Sequence, residues 1–345
     1  MADARAVVGG FWRNRTDMFV AVGVIAVVMM MIIPLPAVLL DVLMALNLVI
    51  SLLVILMVLY TRHALEFSVF PTLLLVTTVF GLALNVSSTR LILSKGSLFD
   101  GRIVRAFGTF VVGAKGLEGY VIGIIIFIII IAVQFIVITK GATRVAEVAA
   151  RFTLDALPGK QMAIEAEYNS GLITEEEATG RKNDLQREAD FYGAMDGASK
   201  FISGSVKVGI LITVVNIIGG MVVGMTIHGE TWQTALDTYV SLTIGDGLVT
   251  QLPALLVSTA TGIIVTRAVS DSSFGKDITR QFTAQSRPYL IAGGFLVVLS
   301  FLPGFPWYVL IPMGALIGAL GFSLARRKAA EEEKTKGREA ADREK

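Results

Sequence analysis

The chain has 345 residues and a net charge of +2, with 54% hydrophobic and only 17% charged residues. Soluble domains average about 25% charged residues, so the composition indicates a membrane protein, and a nearly neutral chain gives no electrostatic reason to bind nucleic acid. The chain contains no cysteine, which excludes disulfides, thiolate catalysis and cysteine-ligated metals.

Apolar stretches in eight places reach or approach the roughly 20 residues that a helix needs to cross a bilayer. They cover residues 18–33, 37–60, 67–86, 119–138, 205–227, 247–266, 288–302 and 305–324. The last two are separated by a turn at residues 303–306. The predicted fold class is therefore an all-α polytopic membrane protein with about eight transmembrane helices and a small helical cytoplasmic loop module.

The distribution of lysine and arginine predicts that both termini are cytoplasmic. The predicted organisation starts with a cytoplasmic N-terminal segment (1–17) and transmembrane helices 1–4 (18–138). The loop module (139–204), transmembrane helices 5–8 (205–324) and a charged linker (325–345) follow. One outside segment, residues 85–118, conflicts with simple alternation because it is basic. Its cations are Arg90, Lys95, Arg102, Arg105 and Lys115. Either these cations face a polar cavity or part of the segment re-enters the membrane.

The loop module is predicted to contain short helices. Apolar residues at helical spacing start the first, Pro158-Gly159 makes a turn, and a second helix ends at Gly171. The sequence TEEE, from Thr174 to Glu177, is typical of a capping box that opens a third helix.

The tail from residue 325 has almost no large apolar side chains, which predicts a solvated helix or a disordered linker. A linker would lead to a further cytoplasmic domain beyond Lys345. The alternative is a simple charged tail.

Asp246 stands between two glycines where an apolar helix is predicted to start, ahead of Pro253. Ionisable residues at membrane depth usually face a cavity or a partner, so Asp246 could handle a proton or another cation. It could equally cap the start of its helix. Position alone leaves both interpretations open.

The sequence EADFYGAMDGASKF, Glu188 to Phe201, places Asp196 and Lys200 four residues apart, where they can pair on one helical face. Physical chemistry alone favours an ordinary surface pair. Asp41, near the start of the second predicted helix, has the same helix-capping interpretation. Asn47 and Asn85 could form hydrogen bonds between helices.

The sequence shows no catalytic triad, phosphate loop or metal motif, and its two histidines, His63 and His228, are far apart. We expect no enzyme activity, no cofactor and no bound metal. The classes of function that remain are transport and the assembly of a larger complex.

Four stretches resemble the FlhA family, also called FHIPEP, of type III secretion export-gate proteins. They read LNVSSTRLIL, QFIVITKGATRVAEVAARFTLDALPGKQMAIEAE, EADFYGAMDGASKF and LTIGDGLVTQLPALLVSTATGIIVTR. The third is more similar to the flagellar than to the injectisome branch. The resemblance covers residues 15–325.

The resemblance implies an eight-span domain of the bacterial inner membrane, at the flagellar basal body, followed by a large cytoplasmic domain. It also implies a nine-subunit ring that helps couple the proton motive force to export of unfolded flagellar subunits. Implied partners are other export-gate membrane proteins, the lipid bilayer, and protons or another cation. An export ATPase complex and chaperone–substrate complexes would bind through the cytoplasmic domain.

Family residues implicated in ion coupling or gating correspond to Asp246, Arg90 and Lys200, with Asp196 nearby. Asp41, Asp190, Ser205 and Lys207 are secondary candidates. The family usually has aspartate where Ser205 stands and an apolar residue where Lys207 stands, and a serine cannot carry a proton as a carboxylate can. The coupling is then impaired, uses another carboxylate, or uses another ion.

Other classes of function remain open beside the resemblance. A virulence-type injectisome export-gate protein is one. A secondary transporter for a small solute would be expected to show inverted repeats and broken helices in both halves. A third is a structural scaffold whose charges only anchor neighbouring proteins of a ring.

Overall fold

A computed structural model of the chain describes Met18 and residues 21–113, 117–267, 274–302 and 306–343. Within these ranges there is no β-strand. The helices are α1 (Ala21–Met30), α2 (Ala37–Tyr60), α3 (Phe70–Lys95), α4 (Arg102–Val112), α5 (Leu117–Ala132), α6 (Lys140–Asn169), α7 (Glu175–Thr226), α8 (Trp232–Thr266), α9 (Phe274–Thr283), α10 (Arg287–Leu299) and α11 (Trp307–Arg343). Short 3₁₀ turns at Ala64–Phe67 and Gly96–Leu98 precede α3 and follow it.

The described helices confirm an all-α polytopic fold. Six of them, α2, α3, α5 continued by α6, α7, α8 and α11, are long and apolar enough to cross a membrane. The shorter apolar helices α1 and α10 lie at the first and seventh predicted spans, so the number eight stays a prediction. The segment 1–17, Lys115 and the turn at 303–305 lie outside the described residues.

Residues 1–270 form one compact unit, in which α8 is the central helix. It packs against α2, α3, α4, α5, α6 and α7. Thr231 caps its start, because the Thr231 side chain accepts a hydrogen bond from the Thr234 N–H at 3.2 Å. The sequence predicted a start at Gly247. That boundary is wrong because Thr243 and Gly245, which precede it, are buried packing residues inside the helix.

The contact between α4 and α8 is made backbone to backbone. Val104, Gly108 and Val112 are buried at i, i+4 spacing along α4. A Cβ atom added to Gly245 would fall 2.0 Å from the Val104 carbonyl oxygen, so no other residue fits there without displacing α4. At 11 residues α4 is too short to cross a bilayer by itself. It leaves Arg102 and Arg105 exposed on its opposite face.

The predicted loop module is a hairpin of two long helices that continue from the membrane-spanning segments. α5 passes through a π-helical turn, Val133–Thr139, into α6, and α7 is a single helix of 52 residues. At 1.5 Å per residue α7 is about 78 Å long, more than twice the thickness of a bilayer core. Both predicted module boundaries, after 138 and after 204, fall inside continuous helices.

The predicted turn at Pro158-Gly159 is wrong, because α6 continues through both residues. Three ion pairs at 2.7–3.1 Å join the two helices of the hairpin. They join Lys160 to Glu188, Glu167 to Arg181, and Glu165 to Lys182. The chain reverses one turn later, where Gly171 has a φ of +74°.

The capping box at Thr174 is confirmed. The Glu177 N–H donates to the Thr174 hydroxyl at 3.2 Å, and the Thr174 N–H donates to the Glu177 carboxylate at 3.1 Å. Two N–H groups that the helix start would leave unpaired are therefore satisfied.

Residues 271–345 form a second compact unit. Within it α10 and α11 approach closely at glycines, since a Cβ on Gly293 would lie 2.8 Å from the Gly314 carbonyl oxygen. The backbone of the predicted charged linker is helical, because α11 extends to Arg343.

The α4–α8 contact predicts that Gly245→Ala destabilises the first unit. The added methyl group collides with the α4 backbone, and overpacking of this kind costs at least about 1–3 kcal/mol. Thermal unfolding of the purified protein in lipid nanodiscs measures the loss.

Gly180→Ala is the matched control. Gly180 lies within α7, is exposed, and has no heavy atom within 4 Å of the added methyl group. Alanine there should leave stability unchanged or raise it by up to about 1 kcal/mol through helix propensity. Equal losses in the two variants would contradict the proposed close contact.

Candidate functional site: a buried carboxyl group and a polar cavity

Asp246 is enclosed in the middle of α8 and is only 2% exposed. The helix-capping interpretation is therefore wrong, since Thr231 holds the cap position. Ser88, on α3, is a neighbour of the carboxyl group, and its hydroxyl donates to the Asn85 backbone carbonyl at 2.9 Å. The second carboxyl oxygen, Oδ1, has no hydrogen-bond partner in the described part of the chain.

The residues on either side of Asp246 explain how it becomes enclosed. Gly245 faces the backbone of α4, and a side chain on Gly247 would collide with the Phe127 ring of α5. Because both positions are glycine, α4 and α5 can pack closely against α8 at the two residues next to Asp246. An enclosed carboxylate without a counter-ion carries a large desolvation cost, which binding of a proton or a cation removes.

Arg90 is not paired with Asp246. Its guanidinium group is exposed and donates to the backbone carbonyl of Ile32 at 2.6 Å. The other described cations of the basic segment also lie outside the polar cavity defined below. Lys95 pairs with Asp100 at 2.7 Å, and this hydrogen bond lowers the pKa of Asp100.

Asp196 and Lys200 do form the predicted ion pair, at 2.7 Å along α7. The two residues are four positions apart in the sequence, and the Lys200 side chain is exposed. The second Asp196 oxygen, Oδ1, is buried without a partner among the described residues. The structure gives this pair no contact with Asp246.

Asp41 caps a different helix from its own. Its carboxylate accepts hydrogen bonds from the N–H groups of Arg102, at 2.9 Å, and Ile103, at 3.2 Å. These are the first N–H groups of α4, so Asp41 ties the start of α4 to α2. Asp190, in contrast, is exposed and accepts only from the Gln186 amide at 2.9 Å.

A cavity of about 70 Å³ lies among α2, α3, α7, α8 and the π-helical turn, and we call it the polar cavity after its ten polar side chains, although apolar residues and glycines also line it. Ser205 lines it, whereas Lys207 is exposed outside it. The polar side chains that line the cavity are Asn47, Ser51, Thr77, Thr78, Asn85, Gln134, Ser205, Thr213, Thr250 and Gln251.

The cavity begins one helical turn from Asp246. The Thr250 hydroxyl donates to the Asp246 backbone carbonyl at 2.8 Å, and Thr250 itself lines the cavity. On α3, Asn85 lines the cavity, and Ser88, one turn further on, donates to the Asn85 carbonyl and is a neighbour of the carboxyl group. The two features therefore form one polar region along α3 and α8.

Sequence reasoning found part of this region. Asn47 and Asn85 were expected to form interhelical hydrogen bonds, and both are buried at the cavity. Gln134 and Gln251 were missed. The available signal was an amide side chain inside an apolar run, such as Gln134 in IIIIAVQFIV.

The fold and this polar interior define a polytopic helical membrane protein with an enclosed ionisable group beside a polar cavity. Comparison with known families then identifies it more closely. Residues 27–345 match the family described as the FHIPEP family, and the chain belongs to that family.

Several relatives align with nearly the whole chain. The flagellar biosynthesis protein FlhA of Borreliella burgdorferi is 64% identical over 319 residues, covering 92% of this chain and 46% of the relative. FlhA of Bacillus subtilis is 48% identical over 320 residues, covering 93% and 46%. The low calcium response locus protein D of Yersinia pestis is 45% identical over 328 residues, covering 93% and 46%.

The chain thus spans about half the length of the curated relatives it matches. No solved structure matches it.

The capping role of Asp41 predicts that Asp41→Ala loosens α4 and lowers the free energy of unfolding by about 1 kcal/mol. Asp41→Asn should retain most of the stability, because the amide oxygen still accepts from an N–H group. Denaturant unfolding in detergent micelles measures both.

Asp190→Ala controls for the loss of a carboxylate as such, because Asp190 is exposed and caps no helix. It should change the stability by less than about 0.5 kcal/mol. A loss at Asp190 equal to that at Asp41 would contradict the cap.

Proposed function

We propose that the chain is the membrane domain of a flagellar type III protein export gate in the bacterial inner membrane. Support comes from its family and from relatives named flagellar biosynthesis proteins, with up to 64% identity. A relative that is not named as flagellar, the low calcium response locus protein D of Yersinia pestis, is less similar, at 45% identity, and an injectisome export gate stays the alternative. The domain acts in transport rather than as an enzyme.

In this proposal about nine subunits assemble into a ring together with other export-gate membrane proteins. Both termini face the cytoplasm, and the rest of the complete protein binds the export ATPase complex and chaperone–substrate complexes. The ring helps to couple the proton motive force to export of unfolded flagellar subunits.

The observation that carries the coupling proposal is the enclosed Asp246 carboxyl group, which has no counter-ion beside it within the described chain. Moving one elementary charge through 100 mV releases about 2.3 kcal/mol. Coupling free energies between conformations are typically about 1–3 kcal/mol. One proton bound and released at Asp246 per step is therefore enough to bias two conformations.

The long helices offer a route by which this bias reaches the cytoplasm. α8 packs against α6 and α7, and α7 is continuous from the membrane segment into the hairpin. A small shift of α7 against α8 would move the hairpin as a lever. Transient pairing of Asp246 with Arg90 or Lys200 then belongs to the second conformation, since in the described one Arg90 binds a carbonyl and Lys200 binds Asp196.

The proposal predicts that Asp246→Asn in the complete protein lowers proton-driven export by about tenfold or more, because the neutral amide removes the transferred charge. The ring should still assemble, since asparagine is nearly isosteric. Secretion of a flagellar subunit is measured in cells that lack their own copy, and the subunit number of the purified ring by native mass.

Asp184→Asn is the control, because Asp184 is an exposed aspartate of α7 that is not a coupling candidate, and it should export normally. Export at the normal rate by a well-expressed Asp246→Asn protein would refute the coupling role and favour a scaffold.

A further inference from the structure

Lys207 is a charged side chain on the outside of the chain at the depth where the membrane-spanning helices are in mid-course. A Cβ atom added to Gly209, two residues further along α7, would lie 3.7 Å from the Asn85 Nδ2 atom of α3. One added to Gly81, a turn before Asn85, would lie 3.7 Å from the Asn47 Nδ2 atom of α2. Asn47 stands near the middle of the 24-residue helix α2. Lys207 is therefore within about one helical turn of the middle of α2.

A lysine at this depth cannot reach the membrane surface by its own length. Its stem extends roughly 6 Å, whereas each end of α2 is about 18 Å away. Lys207 is exposed, and its ammonium group has no hydrogen bond or ion pair within the described chain. Because an ion in hydrocarbon is costly, charged residues of membrane-spanning helices face a partner or a water-filled space. This face of α7 is therefore not a lipid-facing surface.

The exposed side of α2 shows the contrast at the same depth. The side chains exposed next to Asn47 are large and apolar, among them Val49, Leu52 and Leu53. Such a surface suits lipid tails, whereas the surface around Lys207 does not. The chain thus differs from one side to the other in what it can contact halfway through the membrane.

Glycines accompany the lysines along this face of α7. Gly193, Gly197, Lys200, Gly204 and Lys207 follow one another at alternating intervals of four and three residues, so they lie on one side of the helix. We call them the glycine–lysine strip. A Cβ atom on any of the three glycines would meet no heavy atom within 4 Å, so packing inside the described chain does not require glycine there.

The glycines of the strip therefore need a reason outside the chain. Each costs about 1 kcal/mol of helix propensity relative to alanine. On a membrane-spanning helix, small residues allow the backbone of a second helix to come close. The strip combines room for such a helix with a positive charge in its middle, at a depth where only an opposite charge or water stabilises that charge.

We propose that the glycine–lysine strip docks a membrane-spanning helix of a different protein, and that this helix presents a carboxylate to Lys207. The carboxylate supplies the counter-charge that Lys207 lacks, and the glycines let the two backbones approach. A water-filled space would also stabilise the lysine, but it gives no reason for three glycines. The docking does not depend on the proposed export function.

A second copy of the chain fits the strip less well than another protein does. Among the described spans, the carboxyl groups nearest in depth to Lys207 are already used or enclosed. Asp246 is buried, Asp41 accepts from the start of α4, and Asp196 binds Lys200. None of them is free to face Lys207 of a neighbouring copy.

The experiment places the photoreactive residue benzoylphenylalanine at position 211 of the complete protein, in membranes of the cells that make it. Leu211 is 62% exposed and lies one turn beyond Lys207 on the same face. We expect a cross-link to a membrane-spanning segment of another protein that contains aspartate or glutamate, identified by mass spectrometry of the linked peptide. Leu53, 53% exposed on α2, is the matched position and should give at least fivefold less of that product.

Variants of the strip test the charge and the space separately. Lys207→Glu should lower the cross-link at position 211 at least tenfold, because it sets two carboxylates against each other, and Lys207→Arg should retain it. Gly204→Leu should lower it by filling the space for the second helix. Lysine in place of the identified carboxylate should restore the cross-link in Lys207→Glu. Thermal unfolding should be unchanged in Lys207→Glu and Lys207→Arg, since residue 207 is exposed.

Three results would overturn the proposal. One is a cross-link that is undiminished in Lys207→Glu, and another is a cross-link only to a second copy or to a segment without an acidic residue. The third uses Lys207→Cys, which introduces a thiol into a chain that has no cysteine. Labelling of that thiol by a water-soluble maleimide, together with no protein cross-link at position 211, would assign the strip to a water-filled space instead.

Discussion

The backbone contact between α4 and α8 is the constraint on which the rest of the interior depends. Gly245 meets the Val104 carbonyl and Gly108 so closely that neither helix tolerates a side chain there. The next residue is Asp246, and the contact fixes it at a position that water does not reach. Asp41 holds the start of α4 in place from α2. The ionisable group is thus enclosed by packing rather than by an ion pair.

Long uninterrupted helices connect this interior with the hairpin of α6 and α7. α7 contributes Ser205 to the cavity and Asp196 and Lys200 to the surface beyond it, all on one rigid element. Exposed ion pairs between α6 and α7 contribute little stability individually, about 0–1 kcal/mol each. Three of them in register hold α6 alongside α7. The proposed coupling would therefore need no separate folded module to carry a shift along α7.

Sequence patterns within one helix predicted helix ends and helix positions well. Features that depend on contacts between helices could not be predicted from them. The capping box at Thr174 and the helix Ala37–Tyr60 follow from residues that neighbour each other along the chain. Pro158-Gly159 failed as a turn because α7 supports α6 across it. Asp246 failed as a cap because Gly245 and Gly247 are packing glycines, and a glycine in a sequence does not reveal whether it bends a chain or admits a neighbouring helix.

The resemblance to a family supplied the candidate residues, and the geometry divides them by what each can do. Asp246 is the enclosed group that can bind a proton. Arg90 and Lys200 are exposed and already bonded, and Asp196 is half-buried in its pair with Lys200, so these residues act only if the helices rearrange. Ser205 lines the cavity next to this region and carries no ionisable group, so the ionisable group of this interior is Asp246 rather than residue 205.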